Sequence, residues 1–506
     1  MNLAPIRFRA AFSIPATAVV LSLSLSALAL VRDPVINTDG ILYLRAAAAF
    51  RDGGWGAAWA LYPWPFYSAL IAAAHRVTGL SLEHSAHLLN ALFYAISTCA
   101  FVTLVRHLGG PRIALLVFAS LAILIHPELN DYRSFVIRDA GYWAFYLVSI
   151  LFLFRFAQSE RLSDAVYWGA VMTLAMLFRI EASVFLLFLP LALLFTRGKP
   201  FARRARLYLK ANTALIALLV IGLLWHLWSP ARTQVGRLLD PLIFLQQAAE
   251  QLSTGLAARA EVLEKALLNQ YSSSYALTAV IVVMLTIIIA KTLEVLSIVY
   301  ALLASHSMIR RLIPDAARAI GLWLIGLNLA VLTTFVIVRL FLQGRFVVPL
   351  ALVFMLAVPF SLAALYDRWR GRDAKQRRWL FPAVCLALTL LAGDALFSFG
   401  PSKQYVKDAG LWLKQNTPPE GKVYSDSPVV AYYADNPGTD WLQPFSWEKT
   451  LDVIESGEHR AYRYLAIAVG RKNSDRVSLL SERLKRAPVA RFTNERGDQV
   501  LIFAPS

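Results

Sequence analysis

Residues Asn37-Thr38-Asp39-Gly40-Ile41-Leu42-Tyr43 follow directly on the first long apolar run, which covers about residues 11 to 31. A run of roughly 17–25 apolar residues crosses about 30 Å of hydrocarbon as a helix. Reading 11–31 as a span therefore makes this a membrane chain, and it places a lone carboxylate where the chain leaves the bilayer. Arg7 and Arg9 ahead of the run and Ala27-Leu28-Ala29 at its end imitate a secretory signal peptide. The run is longer than a typical signal core, so a retained first helix is expected. On either reading Asp39 ends up outside.

Composition extends this pattern to the whole chain. Of 506 residues, 58% are hydrophobic and 16% charged, whereas soluble domains run nearer 45–50% and about 25%. Eleven spans are counted: 11–31, 85–105, 113–127, 140–156, a hairpin over 165–196, 211–228, 275–304, 319–338, 346–365 and 380–398. Within the long eighth span, Lys291 and Glu294 are three apart, a spacing that pairs them on one helix face. The net charge of +18 invites a nucleic-acid reading, but its placement excludes one. Dense clusters (Arg197 to Lys210, Arg310-Arg311, Arg368 to Arg378) sit in short loops between spans, which is the positive-inside pattern. The N-terminus is thus expected in the cytoplasm, and an odd span count puts the C-terminus outside. Cys99 and Cys385 both lie within apolar runs and suggest neither a disulfide framework nor a metal site.

Two regions stand apart from the spans. The external segment 32–84 is rich in aromatic residues (Trp55, Trp59, Tyr62, Trp64, Phe66, Tyr67), and 41–61 is expected to lie as an interfacial helix. A further external segment, 229–274, reads as helical. After Gly400 the composition turns mixed. Residues 401–506 are expected to form a small soluble α/β domain beyond a transmembrane domain over 1–400. Its elements are a helix over 403–416, strands near 422–424 and 463–469, an amphipathic helix over 474–486, and a hairpin of 489–492 with 499–503.

The ionisable residues at the external ends of the spans are the candidates for chemistry, because charge at membrane level is expensive enough to need a reason. Asp39 is a candidate general base for an acceptor group that must lose a proton; alternatively Thr38 or Asp39 caps a helix beginning at Gly40. Tyr43 is one helical turn on and faces the same way. Asp139, after Arg138, opens the fourth span and has the same alternative as an N-cap. Asp39 and Asp139 together could hold a divalent cation, Mg²⁺ or Mn²⁺, through oxygen ligands, with His126, Glu128 and Asp131 nearby in sequence. Their spacing matches no metal motif. Arg179 and Glu181 interrupt two apolar runs, either as a tight turn with a snorkelling Arg or as functional charges. Arg345, between Gly344 and Phe346, offers a guanidinium fork suited to a lipid phosphate; its alternative is an interfacial anchor. His75, His84 and His87 have no partners for a catalytic triad.

In order along the chain, several motifs resemble the GT-C superfamily of integral-membrane glycosyltransferases, especially the bacterial branch of protein O-mannosyltransferases and the lipid A aminoarabinose transferase. They are Thr38-Asp39-Gly40-Ile41-Leu42-Tyr43, Tyr62-Pro63-Trp64-Pro65-Phe66-Tyr67, Arg138-Asp139, Arg179-Ile180-Glu181 and Gly344-Arg345-Phe346. The resemblance covers about residues 10 to 400. It implies an all-α polytopic fold and inverting transfer of a sugar from a polyprenyl-phosphate donor to a lipid, glycan or protein acceptor. The reaction would occur on the periplasmic side of a bacterial inner membrane. Asp39 would be the acceptor-activating base, Asp139 its acidic partner or a metal ligand, and Arg345, with Arg179, the contact to the donor phosphate. Many members carry a second acidic residue beside the first, whereas here Asp39 lies between Thr38 and Gly40, which leaves metal dependence open. Two other classes compete: a transporter or flippase of lipid-linked intermediates, and a non-catalytic envelope assembly protein. Transport leaves the aromatic first loop unexplained, and no internal repeat of the transporter kind is seen.

Overall fold

In the computed structural model the described residues are all but 1–3, 197, 229–245, 247–249, 372–378, 397–402, 419, 436–445 and 505–506. Arg197, most of the segment 229–250 and the 372–378 part of the second basic cluster therefore lie outside the described residues. Helices dominate because apolar side chains on a hydrocarbon-facing chain leave the backbone only its own carbonyls to bond. In chain order the first nine are α1 (Ala4–Arg32), α2 (Thr38–Leu61), α3 (Phe66–Thr78), α4 (Leu82–Gly109), α5 (Ile113–Leu124), α6 (Pro127–Asp131), α7 (Asp139–Ser159), α8 (Leu162–Phe178) and α9 (Ala182–Phe188).

By length and composition, six helices among the described residues can cross a membrane, or seven if the pair Ile113–Leu124 and Pro127–Ser134, bent by 53°, counts as one span. The count of eleven differs because it includes shorter apolar helices. The expected eighth span breaks in two at Ser297, whose φ is 62°, giving helices Ala276–Leu296 and Ile298–Ile309. The second arm of the 165–196 hairpin is a short α9 that continues as a 3-10 turn, Leu189–Phe195.

The chain divides into two compact units. The first holds residues 1–25, 90–132 and 138–396. Its helices meet through small residues, as expected where lipid removes the hydrophobic drive between helices: Gly141 of α7 lies against the Phe178 ring, and Gly169 of α8 against Ala214. Several polar groups inside are paired. The Trp168 indole donates to Ala211 O (3.1 Å), the Tyr300 hydroxyl to Ala122 O (2.8 Å), and Asn328 Nδ2 to the Tyr146 hydroxyl (2.8 Å). Beyond the C-terminal end of α7, Glu160 accepts from Lys199 (2.7 Å) and Arg203 (3.0 Å) of the basic loop. Asp139 lies at the other end, about 30 Å away for a helix of this length. Lys291 and Glu294 pair at 2.6 Å, as their spacing predicts.

The second unit holds residues 26–89, 133–137 and 397–506. Helix α2 covers the expected interfacial segment and is interrupted at Gly54, whose φ of 70° suits glycine. The expected C-terminal strands form one four-stranded sheet in the order β1-β2-β4-β3: β1 (Val423–Ser425), β2 (Tyr464–Val469), β3 (Ala490–Thr493) and β4 (Gln499–Phe503). β1 and β2 are parallel; β4 is antiparallel to both β2 and β3. β4 is buried along its whole length, which is why its apolar run shows no alternation. Helices Gln404–Asn416 and Asp475–Leu484 appear where the sequence periodicity places them.

Candidate functional site

In the first unit, the motif residues Arg179, Glu181, Arg345 and Phe346 line one cleft, and Asp139 at the start of α7 adjoins it through Arg179. Asp139 is the first residue of α7. It does not cap the helix, since the cap position is Arg138 and carries no side-chain bond. The Asp139 carboxylate instead pairs with Arg179 Nη1. Arg179 ends α8 in extended backbone. The remainder of its fork goes to Glu181, with Nε at 3.2 Å from Oε2 and Nη2 at 2.6 Å from Oε1. Arg179 is 5% exposed and Asp139 1%. The expected alternative of a snorkelling Arg in a tight turn is therefore replaced by a buried ion triad. Two carboxylates around one guanidinium satisfy most of its donors, which makes a buried charge tolerable.

The triad is tied to the Arg345 loop through an aromatic ring. The Arg179 guanidinium lies 4.4 Å from the Phe346 centroid, Arg345 approaches the same ring at 5.3 Å, and Phe346 stacks on Phe335 at 4.9 Å. Cation–π contact of this kind strengthens where water is excluded. Tyr142, Arg179, Glu181, Phe185, Asn328, Phe335, Arg345 and Phe346 are among the residues lining a narrow cleft. Its wall is aromatic and aliphatic with a few convergent charges, the chemistry of a pocket for an amphiphile. Tyr142 and Asn328 were missed from the sequence. Asn328 had a readable signal, being a lone amide within the apolar run 319–338.

Glu128 of α6 sits against the Gly344 backbone. A Cβ at position 344 would strike Glu128 Oε1 and come within 3.1 Å of the Tyr132 hydroxyl, so Gly344 is there to allow this approach. His126 caps α6 by accepting from Leu129 N (3.4 Å), and its ring packs on Tyr300. Arg138 lies within electrostatic reach of Glu181.

In the second unit, Asp39 occupies the first turn of α2. Helix α2 begins at Thr38 with Asn37 at the cap position, so neither Thr38 nor Asp39 is the cap. A carboxylate in a first helical turn is favoured by the helix dipole. Asn37 gives no capping bond because its amide is used elsewhere. Its Oδ1 accepts from Val136 N at 2.7 Å and its Nδ2 donates to Val136 O at 3.3 Å. Tyr43 is buried, with its ring edge-on to Tyr62 (5.5 Å) and Tyr67 (5.3 Å). His75 and His84 make local bonds to Leu80 O and Ser81 Oγ.

Divalent-cation binding at Asp39 and Asp139 was tested against the donors present. Among the described residues no three His, Cys, Asp or Glu side chains group as a metal ligand set, Glu128, Asp131 and His126 included. Asp139, already paired with Arg179, is a poor fit to a cation site.

The family described as dolichyl-phosphate-mannose-protein mannosyltransferase matches residues 62–225. No curated protein matches the sequence significantly. Among solved structures, the Archaeoglobus fulgidus oligosaccharyltransferase tethered to an acceptor peptide aligns with a TM-score of 0.54 at 14% identity, over 90% of this chain and 68% of that one. The AglB oligosaccharyltransferase of the same organism, with an inhibitory peptide and a dolichol-phosphate, also gives 0.54 at 14% identity, over 98% and 74%. ArnT from Cupriavidus metallidurans, in the apo state, aligns at 15% identity over 96% and 97%, with a TM-score of 0.41.

Proposed function

We propose that this chain is a GT-C glycosyltransferase, a reading supported by its fold and by the mannosyltransferase-family match over residues 62–225, and that it transfers a sugar from a polyprenyl-phosphate donor to an extracytoplasmic acceptor. The observation that carries the reading is the cleft lined by Arg179, Glu181, Arg345 and Phe346, with Asp139 paired to Arg179 behind it. A pocket with an apolar wall and an Arg fork suits an isoprenoid phosphate. The fold relatives support this in kind, one holding a dolichol-phosphate and another an acceptor peptide.

In the proposed mechanism the acceptor oxygen or nitrogen attacks the sugar C1 on the face opposite the phosphate. The C1–O bond to phosphate breaks, and the configuration inverts. Asp39 takes the proton of the attacking group. The leaving group is already a phosphate anion, so no general acid is needed. Arg345 stabilises the charge that grows on the departing oxygen, a role worth most where water is excluded. Arg179 is committed to Asp139 and Glu181 and acts by holding Phe346, and with it Arg345, in place. The Asp139 and Glu181 carboxylates keep Arg179 buried and oriented. No step runs through a metal ion. The cleft is assigned to the periplasmic side and the N-terminus to the cytoplasm, since the Lys199 and Arg203 loop lies at the opposite end of α7.

The test is transfer of labelled sugar from membrane-extracted polyprenyl-phosphate donors by purified protein. The isosteric Asp39→Asn variant should reach normal membrane levels and lose at least ~100-fold in rate, at the lower end of what a positioned base supplies. Retained transfer would remove Asp39 from the mechanism. Donor binding without transfer by the wild-type protein would point to transport or scaffolding.

A further inference from the structure

The short segment that delivers Asp39 to the start of α2 is held by side chains far away in sequence. Residues 33–37 link α1 to α2, and within them Val35 and Ile36 are buried. The Tyr433 hydroxyl, from the helix Pro428–Ala434 of the C-terminal region, accepts from Ile36 N at 3.0 Å. Its single proton can go to Pro34 O or Glu83 Oε1, both at 3.3 Å. Lys407 Nζ donates to Pro34 O at 3.0 Å and lies 5.0 Å from the centre of the Tyr433 ring. Tyr432 donates to the other oxygen of Glu83 at 3.2 Å. Burial, reinforced by the Glu83 carboxylate, raises the Tyr433 hydroxyl above the ordinary tyrosine range, so it stays protonated and able to donate.

The same five residues are fixed from a second direction. Asn37 pairs with both backbone polar groups of Val136, as a strand partner would. Gly40 completes the contact: a Cβ there would lie 2.7 Å from Ile36 Cδ1, 2.8 Å from Asn37 Oδ1 and 3.0 Å from Val136 Cβ. Asp39 therefore stands two residues after the locked Asn37 and directly before a glycine that has no room for a side chain. Ile36 N, Pro34 O and the Asn37 amide are all paired in this clamp, and leaving a buried donor or acceptor unpaired costs more than the bond itself contributes.

We infer that the C-terminal region is a positioning device for Asp39, with Tyr433 the principal positioning residue and Lys407 its support. This inference rests on Asp39 being the base of the transfer reaction. Tyr433 touches no reacting atom; it sets where the α2 N-terminus, and so the Asp39 carboxylate, stands. A displacement on the order of 1 Å at a catalytic group costs about 10²-fold in rate, which gives the clamp catalytic consequence well beyond its share of stability.

The experiment compares steady-state transfer by the full-length protein and its Tyr433→Phe variant, with kcat and donor KM measured separately and thermal unfolding in detergent as a control. The expected result is a fall in kcat of at least tenfold, an unchanged donor KM and an unfolding temperature lowered by no more than about a few degrees. A kcat within twofold of wild type would overturn the inference, as would a loss confined to donor KM, which would make the C-terminal region a substrate contact instead. Should Tyr433→Phe fail to accumulate, Lys407→Met removes the second bond to Pro34 O and is read by the same criteria. Asp39→Asn in parallel separates the two ideas: retained activity there sinks the base assignment, whereas a dead Asp39→Asn beside a fully active Tyr433→Phe sinks only the clamp.

Discussion

Arg179 is the residue whose environment most changes its meaning. From sequence it is a charge between two apolar runs; in the fold it is a buried cation shared by Asp139 and Glu181 beneath Phe346. Removing one member of a buried ion network leaves uncompensated charge, typically costing about 3–5 kcal/mol. Arg179→Met should therefore cost roughly that much, read as a depressed unfolding temperature and a low yield of folded protein. A variant that folds with wild-type stability would show that the carboxylates take up protons or solvent instead. Asp139, Arg179, Glu181 and Arg345 were all legible as candidates, because an ionisable group among apolar runs needs a reason. That Arg179 answers two carboxylates was not, since the spacing of 40 residues between Asp139 and Arg179 carries no periodic signal.

At the level of elements, the helices follow from apolar length, and their ends follow less well. The structure breaks the expected 275–304 span at Ser297, where neither Gly nor Pro marks a stop, so nothing local announced the break. The strands were legible almost to the residue: β2 as an apolar run and β3–β4 from the turn Asn494-Glu495-Arg496-Gly497. Close helix approach was not read from the sequence. Gly141 of α7 faces the Phe178 ring, itself packed against Phe93 (5.2 Å) and Phe145 (5.6 Å). A methyl group has no space there, and overpacking costs about 1–3 kcal/mol. Gly141→Ala should destabilise by that amount in detergent unfolding. Wild-type stability in that variant would mean the Phe178 ring can move aside freely.

For the whole molecule, sidedness is the property most open to a direct check. Native Cys99 and Cys385 lie in apolar helices, whereas Ser456 is exposed beyond the helix Trp447–Glu455. A Ser456→Cys variant should react with a membrane-impermeant thiol reagent in cells whose outer barrier alone is permeabilised; reaction only after lysis would reverse the proposed orientation. The sequence by itself determined that the chain is a multi-pass helical protein followed by a small sheet, because those depend on local apolar length, charge placement and turn residues. It also marked which charged residues stand at helix ends. Only the tertiary structure decided their partners: Asp139 with Arg179, Asn37 with Val136 across 99 positions, Tyr433 with Ile36 across 397. Hydrogen bonds and ion pairs form wherever the packed chain brings donor to acceptor, and that meeting is set by how whole helices pack, which no local stretch encodes.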